Sequence, residues 1–151
     1  TKGTAAKINQ GLRIINRTAV IIKPKKLFVE WLNTLPTTDE KVSLKEVRED
    51  ECDVFLIPDF TFIEQSRRYV DGIYKTIFAI QLENWYLDKK LWPKRRSLRM
   101  FHDWFDVEYH SVMFDTIGDP IKEKLCEMLS RRNTANSGLC APNTRLQATR
   151  P

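Results

Sequence analysis

Phe60–Pro93, FTFIEQSRRYVDGIYKTIFAIQLENWYLDKKLWP, is the longest segment of this 151-residue chain with a readable helical period. Thr61 with Glu64 three places on has the spacing of a capping box, which predicts the helix start. Val70, Ile73, Ile77 and Ile80 then form one stripe, with Tyr74, Phe78 and Trp85 on its flank. Each large side chain buried from that face contributes about 1.5–3 kcal/mol before entropy is subtracted, so the helix is expected to lie on a partner, most naturally a sheet. Gly72 weakens its interior, and Pro93 sets its far limit by disfavouring helical geometry at Trp92.

Working towards the N-terminus, Asp53–Pro58 (DVFLIP) is a short apolar run that predicts a buried strand. Before it, Ser43 and Glu46 repeat the capping-box spacing, with Leu44 and Val47 as a small apolar side of an exposed turn or two. Phe28, Trp31 and Leu32 share a face of a short helix that opens at Pro24. Leu12–Lys23, LRIINRTAVIIK, is β-branched and apolar on both faces, as an interior strand requires. Residues 1–12 are polar and read as a lead-in outside the core.

Working towards the C-terminus, Ser97 is placed to cap a helix carrying Leu98, Phe101, Trp104 and Phe105. The alternation in Val107–Thr116 predicts a third strand, Gly118–Pro120 a turn, and Ile121, Leu125, Met128 and Leu129 a last amphipathic helix. All aromatic residues fall between Phe28 and Phe114, which locates the core. The expected fold is a two-layer α+β domain over residues 13–130, with a small mixed or antiparallel sheet of three to four strands and helices mainly on one face. Residues 131–151 are expected to be a flexible basic tail.

The formal net charge of +5 says little about partners once it is divided along the chain. The two ends hold six of the 25 basic residues and none of the 20 acidic ones, leaving 19 against 20 between them. A basic balance confined to chain ends argues against a nucleic-acid-binding surface. No apolar run is long enough to span a bilayer, and the first residues lack the apolar middle of a signal peptide, so a cytoplasmic location without membrane contact is expected. Three widely spaced cysteines, Cys52, Cys126 and Cys140, read as reduced thiols rather than a disulfide framework or metal knuckle.

Only Gly72 and Gly118 lie inside the expected fold, and no glycine-rich phosphate loop or GxSxG elbow is present, so familiar nucleotide-dependent catalysis is disfavoured. No cofactor is implied. The richest polar cluster is HDWFDVEYH: His102 and Asp106 are spaced to share a helix face, and Glu108 and His110 a strand face. That grouping is the basis for a metal-assisted hydrolase as an alternative function, and the plain reading of it is a solvated helix end beside an edge strand. Asp59 after one strand and Glu108 in another echo the divided acidic motif of metal-dependent nucleases, but His110 stands where the motif has lysine. Lys89, Lys90, Trp92, Lys94, Arg95, Arg96 and Arg99 gather positive charge around one ring, the pattern of an anion or single-stranded nucleic-acid contact. The favoured reading of that run is an inter-helix loop with Lys89 and Lys90 complementing a helix C-terminus and Trp92 tucked into the core. Cys52, among Asp50, Glu51 and Asp53, makes a poor nucleophile.

INRTAVIIKPKK, LIPDF, LWPKRR and WFDVEYHSVMFD together resemble a family of small uncharacterised bacterial proteins of about this length, over residues 14–116. Those motifs are structural signatures, and the resemblance implies no activity. SGLCAPNTRLQATRP, at the C-terminus, resembles tails of proteins encoded by mobile integron gene cassettes, where the reading frame runs into the recombination site. The function expected from all of this is a small non-enzymatic interaction or ligand-binding module. A homodimer through an exposed strand edge or a surplus aromatic face is also expected.

Overall fold

The run of β-branched and apolar residues after Asn16 has no polar side to show to water, and it becomes the centre of the sheet. The structure, a computed structural model, describes residues 12–36, 41–49 and 52–123. β1 (Arg13–Ile14) and β2 (Arg17–Pro24) open it, and β2 lies between β3 (Val54–Pro58) and β4 (Phe105–His110) in a three-stranded sheet ordered β3-β2-β4. β1 pairs separately with β5 (Phe114–Asp115) as a two-stranded ribbon. All these pairings are antiparallel, a direction that periodicity leaves open.

Among the described residues, four α-helices complete the α+β fold. α1 (Lys26–Leu32) follows β2, and Pro24 is the last residue of the strand rather than the first of the helix. α2 (Leu44–Glu49) is held by the expected capping box: Ser43 Oγ accepts from Glu46 N at 3.3 Å, and Glu46 Oε2 accepts from Ser43 N at 2.8 Å. α3 (Ile63–Glu83) starts one residue later than Thr61 and Glu64 predict, because the Gln65 side chain accepts from Phe62 N at 3.1 Å. α4 (Leu98–Trp104) is capped by Ser97 Oγ, which accepts from Met100 N at 3.1 Å. It runs into β4 without a loop, so the third strand begins at Phe105, and Phe114 and Asp115 leave it for the ribbon.

The largest departure is the end of α3, which stops at Glu83 well short of Pro93. Trp85, Tyr86 and Trp92 are all buried, and a continuing helix would carry Trp92 about 10 Å along the axis from Trp85 and turn Tyr86 about 100° away from both. Instead the chain folds back, Asp88 caps a single 3-10 turn at Lys89–Leu91, and the Trp92 indole N–H donates to Tyr86 O at 2.8 Å.

The core forms between one sheet face and the helices. Val20 and Ile22 from β2, Ile57 from β3 and Phe105 from β4 meet Phe28 and Leu32 of α1, Val70, Ile77, Phe78 and Leu82 of α3, and Phe101 of α4. β3 is not the buried strand its composition predicts: it is an edge strand, and only Ile57 is buried. Residues 121–123 carry no helix, and the rest of the expected last helix lies outside the described residues, as do the tail and residues 1–11.

Candidate functional site

β4 sends alternate side chains to opposite faces, and this divides the polar cluster of the sequence. Phe105, Val107 and Tyr109, opposite Pro24, Ile22 and Val20, face the helices, whereas Asp106, Glu108 and His110, opposite Lys23, Ile21 and Ala19, face away.

On the outward face, Glu108 is held by two partners. Its Oε2 accepts from Lys23 Nζ, and its Oε1 lies 2.6 Å from His110 Nε2. These bonds, the lysine's first, keep the Glu108 carboxyl below its ordinary range. Asp106 is likewise engaged, 3.0 Å from an Arg48 guanidinium nitrogen and 3.3 Å from Lys25 Nζ. The Arg48 Nε–H donates to Pro24 O at 2.8 Å, which ties α2 to the end of β2. Cys52 lies in this neighbourhood, and burial pushes its thiol pKa up, with Lys23 and Arg48 opposing. The thiol is thus held protonated and weakly nucleophilic, as its sequence neighbours suggest, with desolvation as the main cause.

A carboxylate with a lowered folded-state pKa contributes stability that is complete above its unfolded value and is lost as pH falls through its folded one. The ordinary value for Glu108 is 4.5, so acidification below about that pH removes the contribution. Thermal melts of the wild type are expected to move down as pH is lowered past this point. Glu108→Gln, having no charge to lose, is expected to show a shallower decline, and parallel pH profiles would refute the assignment.

His102 turns elsewhere. Its Nε2 lies 2.8 Å from Asp71 Oδ1 on α3 rather than joining Glu108 and His110. Asp59 follows β3, at the edge of the sheet opposite β4. Among the described residues, no group of three or more His, Cys, Asp or Glu side chains is placed to hold a metal ion.

The helix-facing side of β4 forms one wall of a groove of about 420 Å³ lined by Lys25, Arg67, Asp71, His102, Phe105, Val107 and Tyr109, with Asp106 also bordering it from the outward face. Lys25 is fixed there by donating from Nζ to His102 O at 2.7 Å. Tyr109 has its pKa raised, first by burial and then by Asp71, with Arg67 opposing, so its hydroxyl is a neutral donor near pH 7. The Arg67 guanidinium makes no hydrogen bond or ion pair among the described residues. The sequence reading finds His102 and Asp106 but misses Arg67, Asp71, Tyr109 and Lys25. The available signal is the spacing of Arg67 and Asp71, four apart on one side of α3.

The basic run is arranged around a ring that is not free to stack. Trp92 is only 7% exposed, with Lys89 Nζ 5.5 Å and Arg96 Cζ 5.7 Å from its ring centroid. Arg96 also donates to Pro93 O at 2.8 Å, and Arg99 lies 3.8 Å from Asp103. Lys90, Lys94 and Arg95 are exposed beside them.

No helix among the described residues is long and apolar enough to cross a membrane. Comparison with family models, with curated proteins and with solved structures finds no match to this chain.

Proposed function

We propose that the protein is a cytoplasmic, non-enzymatic ligand-binding module whose site is the groove bounded by α3, α4 and β4. Its ligand is a small molecule with an anionic group. The observation that carries this reading is Arg67: a guanidinium without an ion-pair partner among the described residues, lining a groove beside Tyr109 and the His102–Asp71 pair. An arginine left without an ion-pair partner next to a neutral phenol donor suits a carboxylate or phosphate, which takes parallel N–H bonds from arginine and a further bond from the hydroxyl. Phe105 and Val107 supply an apolar floor for the rest of the molecule. Asp106 is engaged by Lys25 and Arg48, Asp71 by His102, and Lys25 by the His102 carbonyl, so these groups of the lining already have partners, which favours binding over covalent chemistry.

Acetate and inorganic phosphate, titrated into labelled full-length protein, provide the test. Saturable NMR shifts at Arg67, His102 and Tyr109 are expected. Arg67→Ala removes a charge-assisted contact of about 1.5–3 kcal/mol, so affinity is expected to fall at least about tenfold. No saturable shift with either anion, or equal affinity in the variant, would rule the reading out.

A further inference from the structure

The two edges of the three-stranded sheet are built differently. An edge strand presents unpaired backbone groups, and proteins guard such edges with charges, proline, bulges or a cover. β4 follows that pattern, with Asp106, Glu108 and His110 along it. β3 does not: Val54–Pro58 reads VFLIP, contains no charged residue, and among the described residues has only its terminal proline as protection. Val54 and Leu56 stand 56% and 49% exposed on the face opposite the core. Phe62 and Tyr69, also exposed, follow at the start of α3, where the Tyr69 ring lies 5.6 Å from that of Phe60.

We propose that β3 pairs antiparallel with β3 of a second copy of this chain, making a two-fold dimer with a continuous six-stranded sheet. The backbone is set for it. Asp53 O accepts from Ile22 N at 3.1 Å, so Asp53, Phe55 and Ile57 direct their backbone groups at β2, and Val54, Leu56 and Pro58 direct theirs outward. With the two-fold axis at Leu56, its N–H and C=O exchange bonds with Leu56 of the second copy. The Val54 N–H then meets Pro58 O of the second copy, and the missing proline N–H costs one bond on each side.

The strand suits a second copy: its five residues carry no charge to set against their own kind. Although this register brings Asp53 opposite Asp59 of the second copy, the Asp53 carboxylate is drawn inward by Gln81 and Asn84, each at 2.6 Å. Four half-exposed large apolar side chains offer roughly 350–400 Å² per copy, about half of the ~800 Å² per partner of a standard interface. An interface of that size is a weak one, which is why the dimer is expected to dissociate on dilution.

Sedimentation of the full-length chain over a concentration series tests the proposal. A species of twice the 17.8 kDa chain mass is expected, dissociating on dilution, with the Val54 and Leu56 amides protected from hydrogen exchange. Leu56→Lys places two ammonium groups against each other at the axis and is expected to weaken association at least tenfold and expose both amides. Val112→Lys, at an exposed position after β4, is expected to leave the dimer intact. Cooperative melts of both variants separate lost association from lost folding, and Val54→Lys replaces Leu56→Lys should the latter not fold. A wild-type monomer at every concentration overturns the proposal, as does an unaltered dimer in a folded Leu56→Lys. A monomer whose Val54 and Leu56 amides are protected assigns the edge to another segment of the chain and overturns it equally.

Discussion

Phe78→Ala is expected to cost about 3–5 kcal/mol of unfolding free energy, the range for removing a fully enclosed aromatic ring. Phe78 has no exposed surface, and its centroid lies 5.4 Å from that of Phe105, 5.6 Å from Trp104 and 6.1 Å from Phe101. Two of these partners come from α4 and one from β4, so this single ring on α3 joins three elements. The cavity left by alanine cannot be filled by neighbours that are themselves clamped: Phe105 also packs on Phe28 at 5.0 Å, and Trp104 on Phe28 at 5.9 Å. Ile73→Ala is the internal comparison. The periodicity of the sequence puts Ile73 on the central stripe and Phe78 on its flank, whereas in the fold Phe78 is enclosed and Ile73 only partly so. The isoleucine substitution is therefore expected to cost less, about 1–2 kcal/mol. Urea unfolding at one fixed protein concentration measures both and keeps association constant between variants. Equal costs would mean that the ring cluster does not organise the core.

That inversion shows what a sequence period carries. It identifies which side of α3 is buried, because one apolar face must leave water, but not which residue of a broad face sits deepest. β2 is legible as the central strand because both its faces are apolar, and only an interior position satisfies both. The caps at Ser43 and Ser97 are legible because the bonds they make reach only three residues along the chain. The C-terminal end of α3 is not, since it depends on Trp85, Tyr86 and Trp92 finding one pocket together. β3 misleads for a related reason: an apolar run is a signal of burial only where a neighbour exists to bury it, and the far side of β3 has no strand among the described residues. The same limit governs the candidate site. His102 and Asp106 are spaced for one helix face, but the helix ends at Trp104, and Asp106 belongs to a strand. The carboxylate beside His102 is Asp71, 31 residues away, and spacing holds no information about it.

Asp53 is the clearest case of a long-range polar contact with a large energetic consequence. Its Oδ2 accepts from Gln81 Nε2 and from Asn84 Nδ2, both at 2.6 Å, binding the entry of β3 to the last turn of α3 and the residue after it. Gln81 is only 5% exposed, so its amide depends on this carboxylate. Asp53→Ala removes a charged acceptor from two donors and leaves one of them out of reach of water, for an expected loss of about 2–4 kcal/mol. Asp53→Asn keeps one carbonyl oxygen in place and is expected to lose about half as much. Gln81→Leu alone removes a donor and spares the Asn84 bond, while the double substitution Asp53→Ala with Gln81→Leu leaves no buried amide unsatisfied. The double variant is therefore expected to be more stable than the sum of the single losses predicts, by at least about 1 kcal/mol, which a double-mutant cycle in urea resolves. Strict additivity would mean that the carboxylate does not bear on Gln81, and that β3 is held against α3 by apolar contact alone.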